Sequence, residues 1–158
     1  MIPPRSPYGL IQEDLWPNSW LILVACMMLN CTTRKQVDKV FPLFKKKWPT
    51  PQNLLTCDKD ELIGVIKPLG FGNRRADALI RMTTSFLKDD WSHVKQLPGI
   101  GEYASRAWEI FCCGIIGDEA PSDHALVKYY YWRKQHESQQ ETRRSETHEG
   151  QNENRRAA

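Results

Sequence analysis

Two short motifs contain the residues whose types and spacing could do chemistry. The segment LPGIGEY at 97–103 holds two glycines, and PSDH at 121–124 holds a carboxylate that can open a helix. Gly99 and Gly101 can take positive φ and let a phosphate approach the backbone, beside the N–H groups of a helix starting near Glu102. The first motif therefore predicts an anion-binding hairpin. A lone G-x-G more often only joins two packed helices, so the context decides.

Asp123 is the candidate for catalysis. With Pro121 two residues before it, it lies at or near the N-cap of a helix, where backbone N–H groups can keep it ionised. It follows Gly101 by 22 residues, which is enough for one helix of about three turns and a return loop. We therefore expect the carboxylate beside the hairpin, where it could stabilise an oxocarbenium-like sugar and orient water toward C1′. The alternative is that Asp123 is only a helix cap.

The elements that must position these motifs are predicted to be helices. Apolar residues at helical spacing flank the hairpin, so we expect a helix on each side of it. Asp58 with Glu61 resembles a capping box, and Pro42 lies inside a predicted helix. The remaining predicted helices run from Ser19 as N-cap to near Asn30, from near Thr33 through Lys47, over 52–55, from Asp58 to Ile66, over 73–88 and from Pro121 onward. No alternating strand pattern competes, and the fold class is therefore predicted as all-α.

Length and composition fit one domain or two small lobes. The chain has 158 residues, of which 41% are hydrophobic, enough to fill a core. The longest apolar stretch, from Trp20 to Leu29, is too short to span a membrane, and no signal-peptide pattern precedes it. Five cysteines without a C-x-x-C spacing favour a reduced intracellular compartment.

The charge is unevenly distributed. The net charge is +3, and residues 135–158 contribute four Arg and five Glu, which leaves 18 basic and 14 acidic groups, or +4, on 1–134. A mildly basic body is compatible with duplex DNA, although basic surfaces are common. From Gln135 onward no aromatic or branched aliphatic residue occurs. We therefore predict a domain over 1–134 and a disordered polar tail over 135–158.

Several segments, in order, resemble the helix-hairpin-helix DNA glycosylases. The likeness covers about residues 3–134, without large gaps, in PPRSPYGLIQEDLW at 3–16, MMLN at 27–30, IKPLGF at 66–71, the hairpin, IFCC at 110–113 and PSDHALVKYY at 121–130. The resemblance implies two α-helical lobes around a DNA-binding cleft. It is greatest to members of the family that remove thymine or uracil opposite guanine.

The resemblance also implies roles for single residues. Asp123 would be the catalytic carboxylate, Tyr103 would line the base pocket, and Gln12 would read the pyrimidine edge with its amide. Bifunctional members have a lysine at the position of Tyr103, which attacks the sugar, whereas a phenol cannot form a Schiff base. The implied reaction is hydrolysis of the N-glycosidic bond without strand cleavage. Without the resemblance, Tyr103 could equally be a packed tyrosine and Gln12 a surface residue.

DNA contacts are expected from the hairpin and from the loop before the 73–88 helix. The hairpin residues are Leu97, Gly99, Ile100 and Gly101. Phe71, after Gly70, is the candidate wedge for the space left by a flipped nucleotide, although the family has leucine there. Its alternative role is the hydrophobic contact that follows a glycine C-cap. Arg74 and Arg75 could touch phosphate or be ordinary surface charges.

Cys31 departs from the family pattern. The family has arginine or lysine at this position, reaching into the DNA toward the orphaned guanine, and a thiol cannot donate two hydrogen bonds. The preference for guanine opposite the target is therefore open. Arg34, one helical turn later, could compensate or could be a solvated surface residue.

No iron–sulfur cluster and no metal cofactor are expected. Several relatives bind such a cluster through four cysteines after the catalytic helix, whereas no cysteine follows Cys113 here. The hairpin carbonyls could hold a monovalent cation together with the phosphate, as in the family. The expected partner is double-stranded DNA with a mismatched or deaminated base, bound by a monomer in the nucleus. Two alternatives are a non-catalytic DNA-binding module of the same fold and a glycosylase for another damaged base.

Overall fold

The computed structural model describes residues 2–156, the side chains of 149–156 excepted. Within these residues it contains helices and no strand, so the all-α prediction is confirmed. The α-helices are α1 (Ile11–Leu15), α2 (Ser19–Leu29), α3 (Arg34–Lys47), α4 (Pro51–Leu55), α5 (Lys59–Ile66), α6 (Gly72–Lys88), α7 (Glu102–Cys112) and α8 (His124–Arg156), with 3₁₀ turns at Lys67–Leu69 and Val94–Gln96. None of the helices in this part of the chain has the length and apolar run needed to cross a bilayer.

The chain consists of two compact units. The larger unit spans Ile11–Ile115 and contains α1 to α7. The smaller unit combines the chain up to Leu10 with the chain from Ile116 onward, and it contains α8. The hairpin, Gln12 and the predicted DNA-binding loops belong to the larger unit, whereas Asp123 belongs to the smaller one.

Helix α2 packs against four other helices of the larger unit. Its contacts are with α1, α3, α6 and α7. All of its residues from Trp20 to Cys26 are buried, as expected for a helix that is apolar on every side. The observed N-cap is Asn18, whose side chain accepts from Leu21 N at 3.0 Å, and not Ser19. Asparagine and serine are both strong caps, so the pattern alone could not choose between neighbours.

Helix α3 begins at a capping box and buries aromatic side chains. The Thr33 hydroxyl accepts from Gln36 N at 3.2 Å, and the Gln36 side chain accepts from Thr33 N at 3.3 Å. Phe44 is fully buried and lies 5.4 to 6.3 Å, between ring centroids, from three other aromatic rings, those of Trp20, Phe41 and Trp48. The buried face of this helix consists of Val37, Val40, Phe41 and Phe44.

The start of α5 differs from the sequence prediction. Asp58 is the N-cap, but its side chain accepts from Asp60 N at 3.0 Å and forms no capping box with Glu61. Glu61 instead pairs with the ammonium group of Lys47 on α3. The predicted capping box is therefore wrong, because a cation on a neighbouring helix takes the carboxylate.

Helix α6 packs against α4 and α5 in the larger unit. Its fully buried residues are Ala76, Leu79, Met82 and Thr83, while Ile80 and Phe86 are half-buried. The Thr83 hydroxyl accepts from the indole N–H of Trp20 at 3.0 Å. This bond gives partners to two polar groups that are both out of reach of water.

In the smaller unit, tyrosines of α8 bind the chain segments around them. The Tyr129 hydroxyl donates to Pro4 O at 2.8 Å and so ties the N-terminal arm to the helix. The Tyr130 hydroxyl donates to Asp118 O at 2.9 Å and fixes the loop before the helix. Both rings are buried.

Helix α8 continues through Arg156, where the sequence predicts a disordered tail over 135–158. Its first part is stabilised by pairs one turn apart, with Arg133 bonded to Glu137 at 2.8 Å and the Trp132 ring stacked on His136. The helix differs from the prediction because Gln, Glu and Arg are good helix formers even where no core residue is present. The last two residues of that tail lie outside the described residues, and the domain boundary at 134 stays a prediction.

Candidate functional site

The hairpin has one glycine in the left-handed region. Gly99 has φ +80°, whereas Gly101 has φ −94° and is the N-cap of α7. Of the two glycines that could take positive φ, only Gly99 does so. A Cβ at Gly101 would meet nothing within 4 Å, and no side chain caps the helix. An anion can thus approach the first N–H groups of α7.

Gly99 also allows close packing of the hairpin on α2. A Cβ at this position would lie 3.0 Å from Met27 Cε. Any side chain here would meet both the backbone strain of positive φ and this contact. The hairpin is therefore held directly against the C-terminal end of α2.

A 3₁₀ turn precedes the hairpin instead of the predicted helix. His93 caps the turn at Val94–Gln96, and its Nδ1 accepts from Lys95 N at 3.2 Å. The His93 Nε2 lies 3.0 Å from Glu109 Oε1 on α7. Leu97, predicted to face DNA, is 3% exposed and so anchors the hairpin in the core, while Ile100 is half-buried.

Glu109 connects this turn to α7. Burial acts to raise the pKa of its carboxyl, but hydrogen bonds from Arg106 and His93 and the charges of both bring that pKa below its ordinary value. Arg106 Nη1 lies 2.8 Å from Glu109 Oε2, so the two carboxylate oxygens have different donors. The carboxylate is therefore held ionised at the base of the hairpin.

We expect this carboxylate to stabilise the fold in a pH-dependent way. Because its pKa is lower in the folded state, its contribution is complete above the ordinary value of 4.5 and is lost as the pH falls through the folded-state value. Urea unfolding of wild type and Glu109→Gln between pH 7 and 3 should show a difference in unfolding free energy that disappears at low pH. The control is Glu102→Gln, which removes an exposed pair with Lys95 and should change little. A difference that is the same at every pH would contradict the expectation.

Gln12 and Tyr103 meet although 91 residues separate them. Gln12 lies on α1 and is 1% exposed, and its Nε2 donates to the Tyr103 hydroxyl at 2.7 Å and to Cys26 Sγ at 3.4 Å. Tyr103 lies in the first turn of α7 and is half-buried. The two predicted base-pocket residues thus form one hydrogen-bonded pair.

A cavity of about 560 Å³ opens beside this pair in the larger unit. Six of the predicted site residues line it, namely Tyr103, Gly99, Gly101, Phe71, Cys31 and Arg75. Its wall between them is largely apolar, with Met27, Leu69 and Leu79 among the lining residues. This combination of an apolar wall and a few polar groups is typical of sites that bind small molecules. Gln12 is not part of the wall and reaches it through Tyr103.

Phe71 and Cys31 both take backbone conformations that such residues rarely adopt. Their φ values are +52° and +59°, in the left-handed region that favours glycine. Phe71 is 66% exposed, and Cys31 is exposed as well. Strained residues of this kind persist where the surroundings hold them, and they are frequent at functional sites.

Arg75 holds both of these residues through the backbone. Its Nε donates to Gly70 O at 2.9 Å, and its Nη2 and Nη1 donate to Asn30 O at 2.7 Å and Met27 O at 3.3 Å. Gly70 and Asn30 immediately precede the two left-handed residues. We call this arrangement, Arg75 with the carbonyls of Met27, Asn30 and Gly70, the Arg75 clamp.

The Arg75 clamp differs from the predicted role of this residue. The sequence suggested either a phosphate contact or an ordinary surface charge, whereas the donors of the guanidinium point at carbonyl oxygens. Burial lowers the pKa of the Arg75 guanidinium from its ordinary value, as expected for a side chain enclosed by two loops. No sequence signal could have revealed the clamp, because Asn30 lies 45 residues away.

We expect Arg75→Ala to loosen both loops. It removes a charged donor from several carbonyls, which should cost about 1–3 kcal/mol of unfolding free energy, measured by urea denaturation. Arg75→Lys should recover part of this loss, since one ammonium group cannot reach every carbonyl. The control is Arg81→Ala, which removes an exposed arginine of the same helix. Equal stability of the Arg75→Ala and Arg81→Ala variants would show that the clamp does not hold the loops.

Arg34 and Asp123 are two further predicted site residues. Arg34 forms an exposed ion pair with Asp38, with Nε 2.7 Å from Oδ1. Asp123 is the N-cap of α8 and is half-buried, and its Oδ1 accepts from Ala125 N at 3.0 Å and Leu126 N at 2.9 Å. The predicted cap is confirmed. None of the hydrogen bonds described for residues 2–156 uses its Oδ2.

The cysteines are free thiols in different surroundings. Cys26 is buried in α2, while Cys31 and Cys113 are exposed. Burial, together with the neighbouring Cys113 and Cys26, raises the pKa of Cys112 to about 12. Among the described side chains, no three His, Cys, Asp or Glu groups are placed to share a metal ion. The expected absence of a cluster stays a prediction from the sequence.

The comparison with known proteins decides the family. Residues 24–148 match the family described as HhH-GPD superfamily base excision DNA repair protein. The chain belongs to this superfamily. The resemblance inferred from the hairpin and PSDH motifs is therefore confirmed.

Individual members of the HhH-GPD superfamily are similar over most of the chain. The methyl-CpG-binding domain protein 4-like protein of Arabidopsis thaliana is 38% identical over 131 residues, which cover 83% of this chain and 29% of that protein. The thymine-DNA glycosylase of Aeropyrum pernix is 33% identical over 118 residues, covering 68% of this chain and 52% of the relative. The chain thus spans about half or less of the length of these relatives.

A solved HhH-GPD structure confirms the fold. The structure of a thermostable thymine-DNA glycosylase superposes with a TM-score of 0.62 at 22% sequence identity, covering 75% of this chain and 56% of the other. At this identity the likeness concerns the helical fold alone. It agrees with the fold class predicted from the sequence.

Proposed function

We propose that the protein is a monofunctional DNA glycosylase that excises thymine or uracil from G·T and G·U mismatches in base excision repair. The observation that carries the proposal is the Gln12–Tyr103 hydrogen bond of 2.7 Å, next to a cavity lined by Tyr103, Gly99 and Phe71. These residues supply a base pocket, a phosphate contact and a wedge in one unit of the chain. The family of base excision repair proteins and the thymine-DNA glycosylase among the relatives support the coarser part of the proposal, a DNA glycosylase of base excision repair.

In this function Tyr103 and Gln12 receive the flipped pyrimidine. Flipping costs a few kcal/mol, least for a mismatched base, and Phe71 would fill the vacated space. The phenol ring of Tyr103 offers a flat wall for the base, and Gln12, whose Nε2 donates to the Tyr103 hydroxyl, acts on the base edge through that hydroxyl. Gln12 also fixes the direction of the Tyr103 hydroxyl, so the pair acts together.

Tyr103 makes the reaction a hydrolysis. A phenol cannot condense with the sugar C1′ to form a Schiff base, so the pocket lacks the amine that a lyase needs at this position. Water then replaces the base at C1′, the C1′–N bond breaks, and its electron pair leaves with the base. The product is an abasic site in an intact strand.

Asp123 supplies the negative charge for this step. As the sugar loses the base, positive charge develops at C1′ and the ring oxygen, and a fixed carboxylate stabilises it. The two backbone N–H groups on Oδ1 hold the side chain in one orientation. The other oxygen, Oδ2, would orient the attacking water and accept its proton.

The proposal also specifies the DNA partner and the cellular location. The partner is double-stranded DNA with a mismatched or deaminated base, bound as a monomer, and the place is the nucleus. The hairpin holds the backbone through the α7 N-terminus, and a monovalent cation on its carbonyls would assist. The body of the chain, with its charge of +4 over residues 1–134, is compatible with this partner.

A labelled duplex with one G·T or G·U pair tests the proposal. We expect base release by the wild-type protein and strand breakage only after alkali, with no adduct trapped by sodium borohydride. An A·T duplex of the same sequence is the control and should stay intact. Breakage without alkali would contradict the monofunctional assignment, and no base release from either mismatch would contradict the glycosylase assignment.

Cys31 favours a second candidate function. An exposed thiol stands where the family has a long cation, so the chain could be a non-catalytic DNA-binding module of the same fold. Such a module would bind duplexes in a strongly salt-dependent way and release no base. A third candidate function is excision of another damaged base. It would appear as base release from a duplex in a panel of modified duplexes, while the G·T and G·U duplexes stay intact.

A further inference from the structure

Helix α3 holds the excess positive charge of the body of the chain. Its 14 residues contain six basic groups and one acidic group, which is a net charge of +5. Residues 1–134 together carry +4, so the residues of that range outside α3 hold 12 basic and 13 acidic groups, or −1. The basic character inferred from the composition is therefore located in a single helix.

Three lysines of α3 form a row on the side of the helix that faces away from the core. Lys35, Lys39 and Lys46 follow one another at steps of four and seven residues, which keeps them within about 40° of each other around an α-helix. The four buried side chains of α3 lie on the opposite side, and all three lysines are exposed. We call Lys35, Lys39 and Lys46 the lysine row.

The lysine row has no acidic partner within the part of the chain that the structure describes. None of its three ammonium groups takes part in a hydrogen bond or an ion pair there. Asp38, the one acidic residue of the helix, is paired with Arg34 at 2.7 Å. Like charges one helical turn apart repel each other, as Lys35 and Lys39 do. A bound polyanion would relieve this repulsion.

The lysine row leads away from the cavity. Cys31, which lines the cavity, precedes Lys35 by four residues. The Phe44 ring lies 6.3 Å, between centroids, from that of Trp20 at the start of α2, so α3 runs back along α2. At 1.5 Å per residue, Lys46 therefore lies about 16 Å beyond Lys35, at the end of the helix that is far from the cavity.

We infer that the lysine row binds the phosphate backbone of a second segment of duplex DNA, separate from the segment that carries the target base. A duplex seated over the cavity meets only the first end of the row, and the rest of the row is open to another duplex. Ammonium groups on flexible stems contact phosphates as point charges and read no base. The inference rests on the part of the proposed function that makes duplex DNA the partner. Its consequence is direct passage of the protein from one DNA segment to the next.

The test measures whether an incoming duplex speeds the departure of a bound one. A labelled duplex without a mismatch is bound at low salt and chased with increasing concentrations of the same duplex without label. We expect the dissociation rate from wild type to rise with the chase concentration, because the incoming DNA binds the lysine row before the first segment leaves. Raising the salt concentration should abolish this rise, since phosphate contacts weaken steeply with salt.

A triple variant removes the lysine row, and a second triple variant is its matched control. The row variant, Lys35→Gln with Lys39→Gln and Lys46→Gln, should dissociate at a rate that is independent of the chase. Glutamine is a good helix former, so this variant should melt close to wild type. The control removes the same charge from exposed positions on α5 and α6 and should respond to the chase as wild type does; it is Lys59→Gln with Arg81→Gln and Lys88→Gln.

The number of duplexes bound per chain gives an independent measurement. At low salt and with excess duplex, sedimentation should show two duplexes per wild-type chain and one per chain of the row variant. A wild type that binds a single duplex and dissociates independently of the chase overturns the inference. A row variant that still binds two duplexes overturns it too, as does a control variant that loses the chase response, because net charge alone would then explain the effect.

The duplex in these measurements has no target base. They therefore decide the role of the lysine row whether or not the protein releases a base. A failure to release thymine or uracil from the mismatched duplexes would contradict the proposed glycosylase function and leave the result for the lysine row unchanged.

Discussion

Replacing Asp123 by asparagine is expected to lower the single-turnover rate of base release on the order of a thousandfold. The change removes one negative charge and keeps the shape of the side chain. Because the transition state carries positive charge on the sugar, a neutral amide cannot stabilise it as the carboxylate does. The measurement is rapid quench of a labelled G·U duplex with excess protein.

The fold offers a reason to choose asparagine. Asp123 accepts from Ala125 N and Leu126 N, and asparagine is an equally good N-cap. We therefore expect Asp123→Asn to melt close to wild type, whereas Asp123→Ala should also lose the cap, at a cost of about 1 kcal/mol. A fully active Asp123→Asn variant would exclude the proposed chemistry, and the retained cap ensures that unfolding cannot explain a slow one.

Truncating Phe44 to alanine should destabilise the larger unit by about 3–5 kcal/mol. Phe44 is fully buried, and its ring is surrounded by those of Trp20, Phe41 and Trp48. The truncation loses buried area and leaves a cavity among rigid rings that cannot collapse onto it. Domains are stable by only about 5–15 kcal/mol, so the loss should be visible as a large drop in the urea midpoint.

The neighbouring Leu43 provides the control for this prediction. It lies on the same helix but is half exposed, so Leu43→Ala should change the unfolding free energy by about 0.5 kcal/mol or less. A Phe44→Ala variant as stable as Leu43→Ala would mean that the aromatic group is not the core of this unit.

The sequence was sufficient where the determinants are local. The Thr33 cap, the buried face of α3, the Asn30 end of α2 and the positive φ of Gly99 all follow from neighbouring residues. The Gln12–Tyr103 pair spans 91 residues, and only the family resemblance brought these two residues together in advance. Hydrophobic periodicity gives no information about contacts between residues that far apart in the sequence.

The sequence failed where a distant group competes for a side chain. Glu61 pairs with Lys47 and forms no capping box, and the guanidinium of Arg75 donates to backbone carbonyls of two loops, which the sequence did not indicate. The left-handed conformations of Phe71 and Cys31 were also unpredictable, since neither residue type favours them. The expectation that Asp123 returns beside the hairpin stays a prediction, and its test is the Asp123→Asn assay.

The exposed thiol of Cys31 offers a natural attachment point for a probe at the rim of the cavity. Thiolate is the species that reacts with maleimides, and the pKa values of Cys57, Cys112 and Cys113 are all raised, mainly by burial. Cys26 is buried and shielded from reagents. The exposed thiols Cys31 and Cys113 are therefore the ones that a fluorophore or spin label can reach, and of these two Cys31 is the one that lines the cavity. Such a label would report the arrival of DNA in real time, without any engineered cysteine.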